Sequence, residues 1–425
     1  QCTRETSPPS ARRAATALLV LLWLLVVVFV AEYLYLNVIS LLGATLTDFH
    51  VYHEALGHAV RGETIYDLGS GMPFLYPPFY LIVLWPLGWL SEPTAMTVWL
   101  HLQSAFLVIS LLALLAVFRP LDLWFAAWAI ILFTGFSPVM LNSLYGQTNL
   151  LYLAILAVFI LAYCKSIGKP AKGRYWEIIA ALALSVAVSI RILPLALLVL
   201  VAVQRRYRMV LWTVGFVAVE ALAAGALVGF AAERDYFTSY VFRLRGLENM
   251  REISLLALGE KLVSPRVAAI LFVAAVGAAV AVFFALVMVP ARRQASSPAL
   301  HVAFVIISMV LFAPLLEYHH YTILLAPYAL VLGELRRRQR LSLTSALPVF
   351  LSWAIVAGAN QLSYYGYGAI AFAALGGAAL IWVYCVWLIV RNGAAPPGRP
   401  GESHLPGSLT EKELEPSSPV GEESH

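Results

Sequence analysis

Ala14 to Leu36 reads AATALLVLLWLLVVVFVAEYLYL, an apolar run with one carboxylate, Glu32, near its end. A membrane-crossing helix needs roughly 20 such residues. This run is too long for the core of a signal peptide and has no small-residue cleavage site after it, so it reads as a retained helix. The rest of the chain repeats the theme: 61% of the 425 residues are hydrophobic and only 12% charged. A soluble domain of this size could not cover its surface with so few polar side chains. The fold class expected is an all-α polytopic membrane protein, because lipid forces each span to satisfy its backbone internally.

Apolar segments fall near 14–36, 79–91, 95–118, 121–140, 148–164, 176–203, 208–231, 267–290, 299–316, 320–335, 343–360 and 369–390, about twelve in all. The expected organisation is a short N-terminus (1–13), a transmembrane domain (14–390) with a long first loop at 37–78, and a Pro, Gly, Ser and Glu-rich tail (391–425) that cannot bury a core. Arg12, Arg13, Arg205, Arg206, Arg208, Arg292, Arg293, Arg336, Arg337, Arg338, Arg340 and Arg391 gather between spans, which predicts one cytoplasmic face, both termini included. The long first loop then faces outward from a plasma membrane. The loop from Lys165 to Arg174 breaks this rule under simple alternation. A dip within 176–203, interrupted by Arg191 and Pro194, is one way to restore it. The net charge of +5 belongs to this retention pattern, and no basic stripe with interleaved aromatics suggests nucleic acid. Cys2, Cys164 and Cys385 are scattered and imply neither a disulfide framework nor a zinc site.

The ionisable groups concentrate just beyond the first span, in TDFHVYHEALGHAVRGETIYDLGSGMPFLYPPFY from Thr47 to Tyr80. His53-Glu54-Ala55-Leu56-Gly57-His58 is one residue longer than a zinc-protease motif. Histidines five apart sit about 140° around a helix, so that reading is excluded; His50 and His53 stay as the alternative metal pair, and no metal is expected. Asp48 is a candidate general base for a hydroxyl, or a helix N-cap. Further candidates are the Gln147 and Asn149 amides, Arg191 in the interrupted apolar run, and Glu317, His319 and His320 at a span end. A mid-membrane arginine costs roughly 2.5–3.5 kcal/mol on insertion scales and needs a partner or an anionic ligand. Arg234, Arg243, Arg245, Arg251, Lys261 and Arg266 form another basic stretch with acidic neighbours.

Together, Asp48-Phe49, Val51-Tyr52, Arg61-Gly62, Tyr66, Phe74, Tyr76-Pro77-Pro78, Gly146-Gln147, Asn149 and His319-His320 make an ordered pattern. It resembles glycosyltransferase family 87, over about 47–320. The resemblance implies a GT-C multi-helix bundle that moves a sugar, mannose first and arabinofuranose as the alternative, from a polyprenyl phosphate. The acceptor would be a glycolipid or polysaccharide hydroxyl, membrane lipids the surroundings, and no cofactor is implied. Asp48 takes the place of the catalytic acid near the start of the first loop. Arg191 stands where many members carry lysine. His319, His320 and Arg191 would meet the donor phosphate, and one histidine ring would be protonated beside it. Tyr52, His50, Arg61, Tyr66, Tyr76, Gln147, Asn149 and Glu317 would line the substrate. A transporter or lipid flippase is the rival, but it should gather its polar groups at the midplane in paired broken helices, whereas this chain gathers them at one face.

Overall fold

The computed structural model describes residues 9–43, 46–66, 68, 72–168, 170–241, 252–288, 297–364 and 368–394. Within them the chain is helical and no strand occurs. Seven helices are long and apolar enough to cross a membrane, or eight if one bent pair counts as a single span. The twelve apolar segments of the sequence all become helices, but several are too short to count as spans by length alone. The last helix runs on to Ala394, three residues past the predicted tail start at Arg391, and 395–425 lie outside the described residues, as do the arginines at 243, 245, 251, 292 and 293.

Helix α1 (Pro9–Gly43) is followed by α2 (Thr47–Arg61), α3 (Phe79–Leu84) with a 3₁₀ turn at Trp85–Trp89, and α4 (Glu92–Val117). Next come α5 (Leu123–Thr134), α6 (Ser137–Tyr145), α7 (Asn149–Gly168), α8 (Pro170–Ile190), α9 (Leu195–Val203), α10 (Tyr207–Ala224) and α11 (Phe230–Asp235). The second half holds α12 (Leu255–Leu262), α13 (Pro265–Val287), α14 (Pro298–Leu311), a 3₁₀ helix (Tyr318–Leu324), α15 (Leu325–Arg337), α16 (Leu343–Tyr364) and α17 (Ala373–Ala394). Several helices begin where the sequence supplies a side-chain acceptor. Asp122 receives the Phe125 N–H at 2.7 Å to start α5, and Ser254 receives that of Ala257 at 3.0 Å to start α12. Almost every residue of α14 is buried, which marks it as the centre of the larger core.

The bundle has two chemically distinct ends. At one, Arg336 donates to Asp122 and to the carbonyls of Phe118 and Pro120, Arg206 pairs with Glu177, and Lys165 lies 4.3 Å over the Trp176 ring. Tyr163 donates to Gln204 there as well, so the Lys165–Arg174 loop sits at the same end as Arg206. This corrects the alternation drawn from sequence, for two reasons. Segment 79–91 is not a crossing: its far end returns to α2, where Glu92 meets His50 and the Leu90 carbonyl lies 3.3 Å from His53 Nε2. The run 176–203 is two passes, because α8 ends at Ile190 and α9 runs back toward Gln204 after a break at 191–194. Pro194 has no N–H to continue a helix, and Arg191 is left at the opposite end from the basic cluster.

Candidate active site

A second, smaller core surrounds that opposite end, built from Phe49, Tyr52, Phe74, Tyr76, Tyr80, Trp99 and Ile190 among others. Helix α2 brings its apolar face onto this core, which buries Phe49, Val51, Tyr52, Ala55, Leu56 and Ala59. Its N-cap is Leu46, which caps with no side chain, so Asp48 is not the cap. Asp48 lies in the first turn, where the helix dipole favours a carboxylate, and its Oδ2 accepts a 2.6 Å hydrogen bond from Gln147 Nε2. Burial outweighs that bond and pushes the Asp48 carboxyl from 3.8 to about 6.

Gln147 reaches Asp48 because α6 ends one residue earlier in a left-handed glycine. Gly146 has φ +70°, and a Cβ there would stand 2.8 Å from Phe49 Cβ. Glycine therefore serves twice, closing α6 and letting α2 approach. The turn is pinned by Trp99, whose indole N–H donates to the Gly146 carbonyl at 2.8 Å. Asn142 receives the Asn149 backbone N–H at 3.0 Å and donates to the Gln147 carbonyl at 3.1 Å.

The Gln147 side-chain carbonyl accepts from Tyr52 at 3.0 Å and Tyr76 at 3.3 Å. Arg191 donates to the Tyr76 hydroxyl at 3.0 Å and lies 5.4 Å and 5.5 Å from the Tyr76 and Tyr152 ring centres. Among the described residues no carboxylate pairs with this guanidinium. Tyr66 donates to the Tyr76 carbonyl at 3.1 Å and stacks against Tyr236 and Tyr240.

The loop after α14 closes the site. His319 Nε2 lies 3.2 Å from Glu317 Oε2, and its ring packs edge-on to Tyr145. His320 does something different: its Nδ1 accepts the Glu317 backbone N–H at 2.9 Å, and together they form a capping box at the start of the 3₁₀ helix. Glu317 feels the charges of Asp48, Glu252 and Arg191, and burial first, then these acids, raise its carboxyl to about 7. His319 also feels Arg191, and burial with that positive neighbour pushes its imidazole down to about 3. Burial and Arg191 thus push this imidazole in the direction opposite to the protonated ring expected beside a donor phosphate.

The structure therefore brings together Asp48, Tyr52, Tyr66, Tyr76, Gln147, Arg191, Glu317, His319 and His320. It does not bring in His50, which meets Glu92 on an exposed surface, or Arg61, which pairs with Glu63 at 2.7 Å in solvent. Asn149 is fully buried against Asn142, and Gln147 spends its carbonyl on two tyrosines, so both hold protein rather than face a substrate. The three loop histidines diverge, His58 bonding to the Thr64 carbonyl. Trp99, Asn142, Tyr152 and Tyr236 escaped the sequence reading. Only Asn142, an amide inside an apolar run, carried a local signal.

Among curated proteins, none matches the chain significantly. Its fold is similar to the crystal structure of ArnT from Cupriavidus metallidurans in the apo state, at 15% identity and TM-score 0.44, over 89% of this chain and 78% of that one. The same protein bound to undecaprenyl phosphate aligns at 14% identity and TM-score 0.42, over 87% and 77% of the two chains. The family model of glycosyltransferase family 87 matches residues 74–316, more than half of the chain. Those residues include Tyr76, Gln147 and Arg191, while Asp48 and the histidine pair flank them. The all-α, multi-span bundle agrees with the GT-C architecture implied by that family. A polar cluster walled by apolar helices and a family match across the core of the bundle lead to one conclusion: the chain belongs to glycosyltransferase family 87 and is a membrane glycosyltransferase.

Proposed function

We propose that the protein is an inverting glycosyltransferase that moves a sugar, mannose by the family resemblance, from a polyprenyl phosphate to a hydroxyl of a glycolipid or glycan. The reaction would take place at the outer face of the plasma membrane. One observation carries the reading: Asp48 is held by a single hydrogen bond through one oxygen, and Gln147 and Tyr76 link it to an arginine with no carboxylate partner among the described residues. The free Asp48 oxygen takes the acceptor hydroxyl proton. The acceptor oxygen attacks the anomeric carbon, and the bond from that carbon to the phosphate oxygen breaks. Its electron pair leaves with the polyprenyl phosphate, whose charge Arg191 and His319 meet. A bound phosphate also raises the His319 pKa from its depressed value, so the ring gains a proton only when donor is present. Tyr52, Tyr66 and Tyr76 offer ring faces near the sugar, and the Glu317 carboxyl a partner for its hydroxyls.

Arg191 ends a helix next to the site and away from the basic end, which is where a phosphate on a membrane-embedded tail would need a cation. A transporter has less use for a carboxylate with one open oxygen tied through Gln147 and Tyr76 to this cation. Purified full-length protein given polyprenyl-phosphate-mannose and envelope lipid extract should yield a lipid product heavier by one hexose. Transfer from the arabinofuranosyl donor alone would replace mannose by arabinose. Movement of the intact donor across proteoliposomes with no glycosylated product would overturn the enzyme reading.

A further inference from the structure

The hydrogen bonds around Gln147 have a fixed direction. Arg191 can only donate, so the Tyr76 oxygen is the acceptor of that 3.0 Å bond, and its own proton goes to Gln147 Oε1 at 3.3 Å once the Tyr52 hydroxyl, 3.2 Å away, has spent its proton on the same amide. Tyr52 sends its proton to the same Oε1. Two hydroxyl protons on one side of a primary amide settle which end is oxygen, a choice that a bare amide leaves open. The NH₂ end must then face Asp48. A flipped amide would set a carbonyl oxygen against a carboxylate oxygen at 2.6 Å, and of the two phenols, whose oxygens lie 3.2 Å apart, only one could still find an acceptor, in the other.

The backbone supports the same arrangement. The Gln147 N–H donates to the Asn142 carbonyl at 2.8 Å, the Asn142 amide returns a bond to the Gln147 carbonyl, and Trp99 holds Gly146. Among the described residues Gln147 supplies the one hydrogen bond to Asp48, on Oδ2. Oδ1 is the oxygen left to work.

We propose that Gln147 is a positioning residue that selects which Asp48 oxygen acts as the base and, through Tyr76, ties that choice to the Arg191 cation. The inference rests on the reading of Asp48 as the base. It reassigns Gln147 from substrate contact to the orientation of a catalytic group, and it makes Tyr52 and Tyr76 part of one chain rather than independent walls. Other groups that act on the base are the phenols of Tyr52, Tyr76 and Tyr80, and Glu317 from the loop after α14.

Full-length Gln147→Glu and Tyr52→Phe, assayed with polyprenyl-phosphate-mannose and envelope lipid acceptor across pH 5–9 (a range of about four units), test this. Gln147→Glu keeps the size and the acceptor for both phenols but sets a second carboxyl against Asp48. Two such groups hold one proton between them and separate their titrations. The acid limb of kcat should move up by about one pH unit or more, with kcat at pH 7 down about ten-fold or more and donor KM within about two-fold. Alkaline pH should restore part of the rate. Tyr52→Phe should lower kcat about three- to ten-fold, again with KM held, because one of the two protons fixing the amide is gone. An unshifted limb in Gln147→Glu, or a loss expressed in donor or acceptor KM, would overturn the positioning role. If Gln147→Glu is not recovered as folded protein, the kcat and KM split in Tyr52→Phe decides alone. Asp48→Asn separates the two ideas. An active Asp48→Asn removes the base reading itself, whereas an inactive Asp48→Asn beside a wild-type Gln147→Glu profile removes only the positioning role.

Discussion

Replacing Asp48 with Asn should abolish transfer and at the same time stabilise the protein. Asn has nearly the same volume, and its carbonyl can still accept the Gln147 N–H bond that now spans 2.6 Å, so packing is preserved. What disappears is basicity. A positioned general base contributes about 10²- to 10⁴-fold, or about 2.7–5.4 kcal/mol of the barrier. The stability change has the opposite sign. Burial pushes the carboxyl from 3.8 to about 6, so the folded protein holds a proton that the unfolded chain has already released between those pH values. Stability therefore falls as pH rises through this window. The ionised group costs about 3 kcal/mol above pH 6, at 1.36 kcal/mol per tenfold, and nothing below pH 4. Asp48→Asn should thus melt higher than the parent at pH 7.5 and equally at pH 4. In the parent, kcat/KM should fall about ten-fold for each pH unit below 6, as the base of the free enzyme gains its proton. Radiolabelled sugar transfer and a melting curve at three pH values read both effects. Near-parental transfer would refute the assignment, and a lower melting point with lost activity would trace the loss to folding.

The two histidines should part ways: His319→Ala should raise donor KM, whereas His320→Ala, which loses the bond to the Glu317 backbone, should cost about 1 kcal/mol of stability with donor KM unchanged. Equal and mild effects in steady-state kinetics would make both structural. Gly146→Ala meets a positive φ and a Phe49 Cβ at 2.8 Å, and it should lose about 1–3 kcal/mol and most of the transfer, read by melting and activity together. A chelator should leave transfer intact, and a complete loss restored by one divalent ion would bring a metal into the site. His50→Ala should reduce kcat less than ten-fold, roughly the scale of peripheral help, since its partner Glu92 sits outside the cluster.

Much of this site could be found in the sequence because its residue types are costly where they stand. A carboxylate, an arginine and a histidine pair beside apolar runs announce themselves, and Asp48, Arg191, His319 and Glu317 do converge. Their neighbours hid for the reverse reason. Trp99, Tyr152 and Tyr236 look like any aromatic residue of a membrane helix, and nothing local marks the indole that holds Gly146. His50 and Arg61 were as polar as the rest, yet they point away from the cluster, a matter of which face α2 buries.

That the chain folds as membrane helices is written in its apolar runs, since lipid and backbone hydrogen bonding decide it locally. Arg191 and Pro194 mark a candidate break in the same local way, a charge and a missing N–H inside an apolar run. That segment 79–91 turns back to α2 and that α8 and α9 are separate passes emerges from the packed bundle alone, because a short apolar helix has the same composition whether it crosses or returns. The same packing sets the role of Gln147. The amide bonds Asp48 across 99 residues and Tyr52 across 95. Whether a glutamine faces a substrate or orients a base depends on partners that far away, which no local pattern encodes.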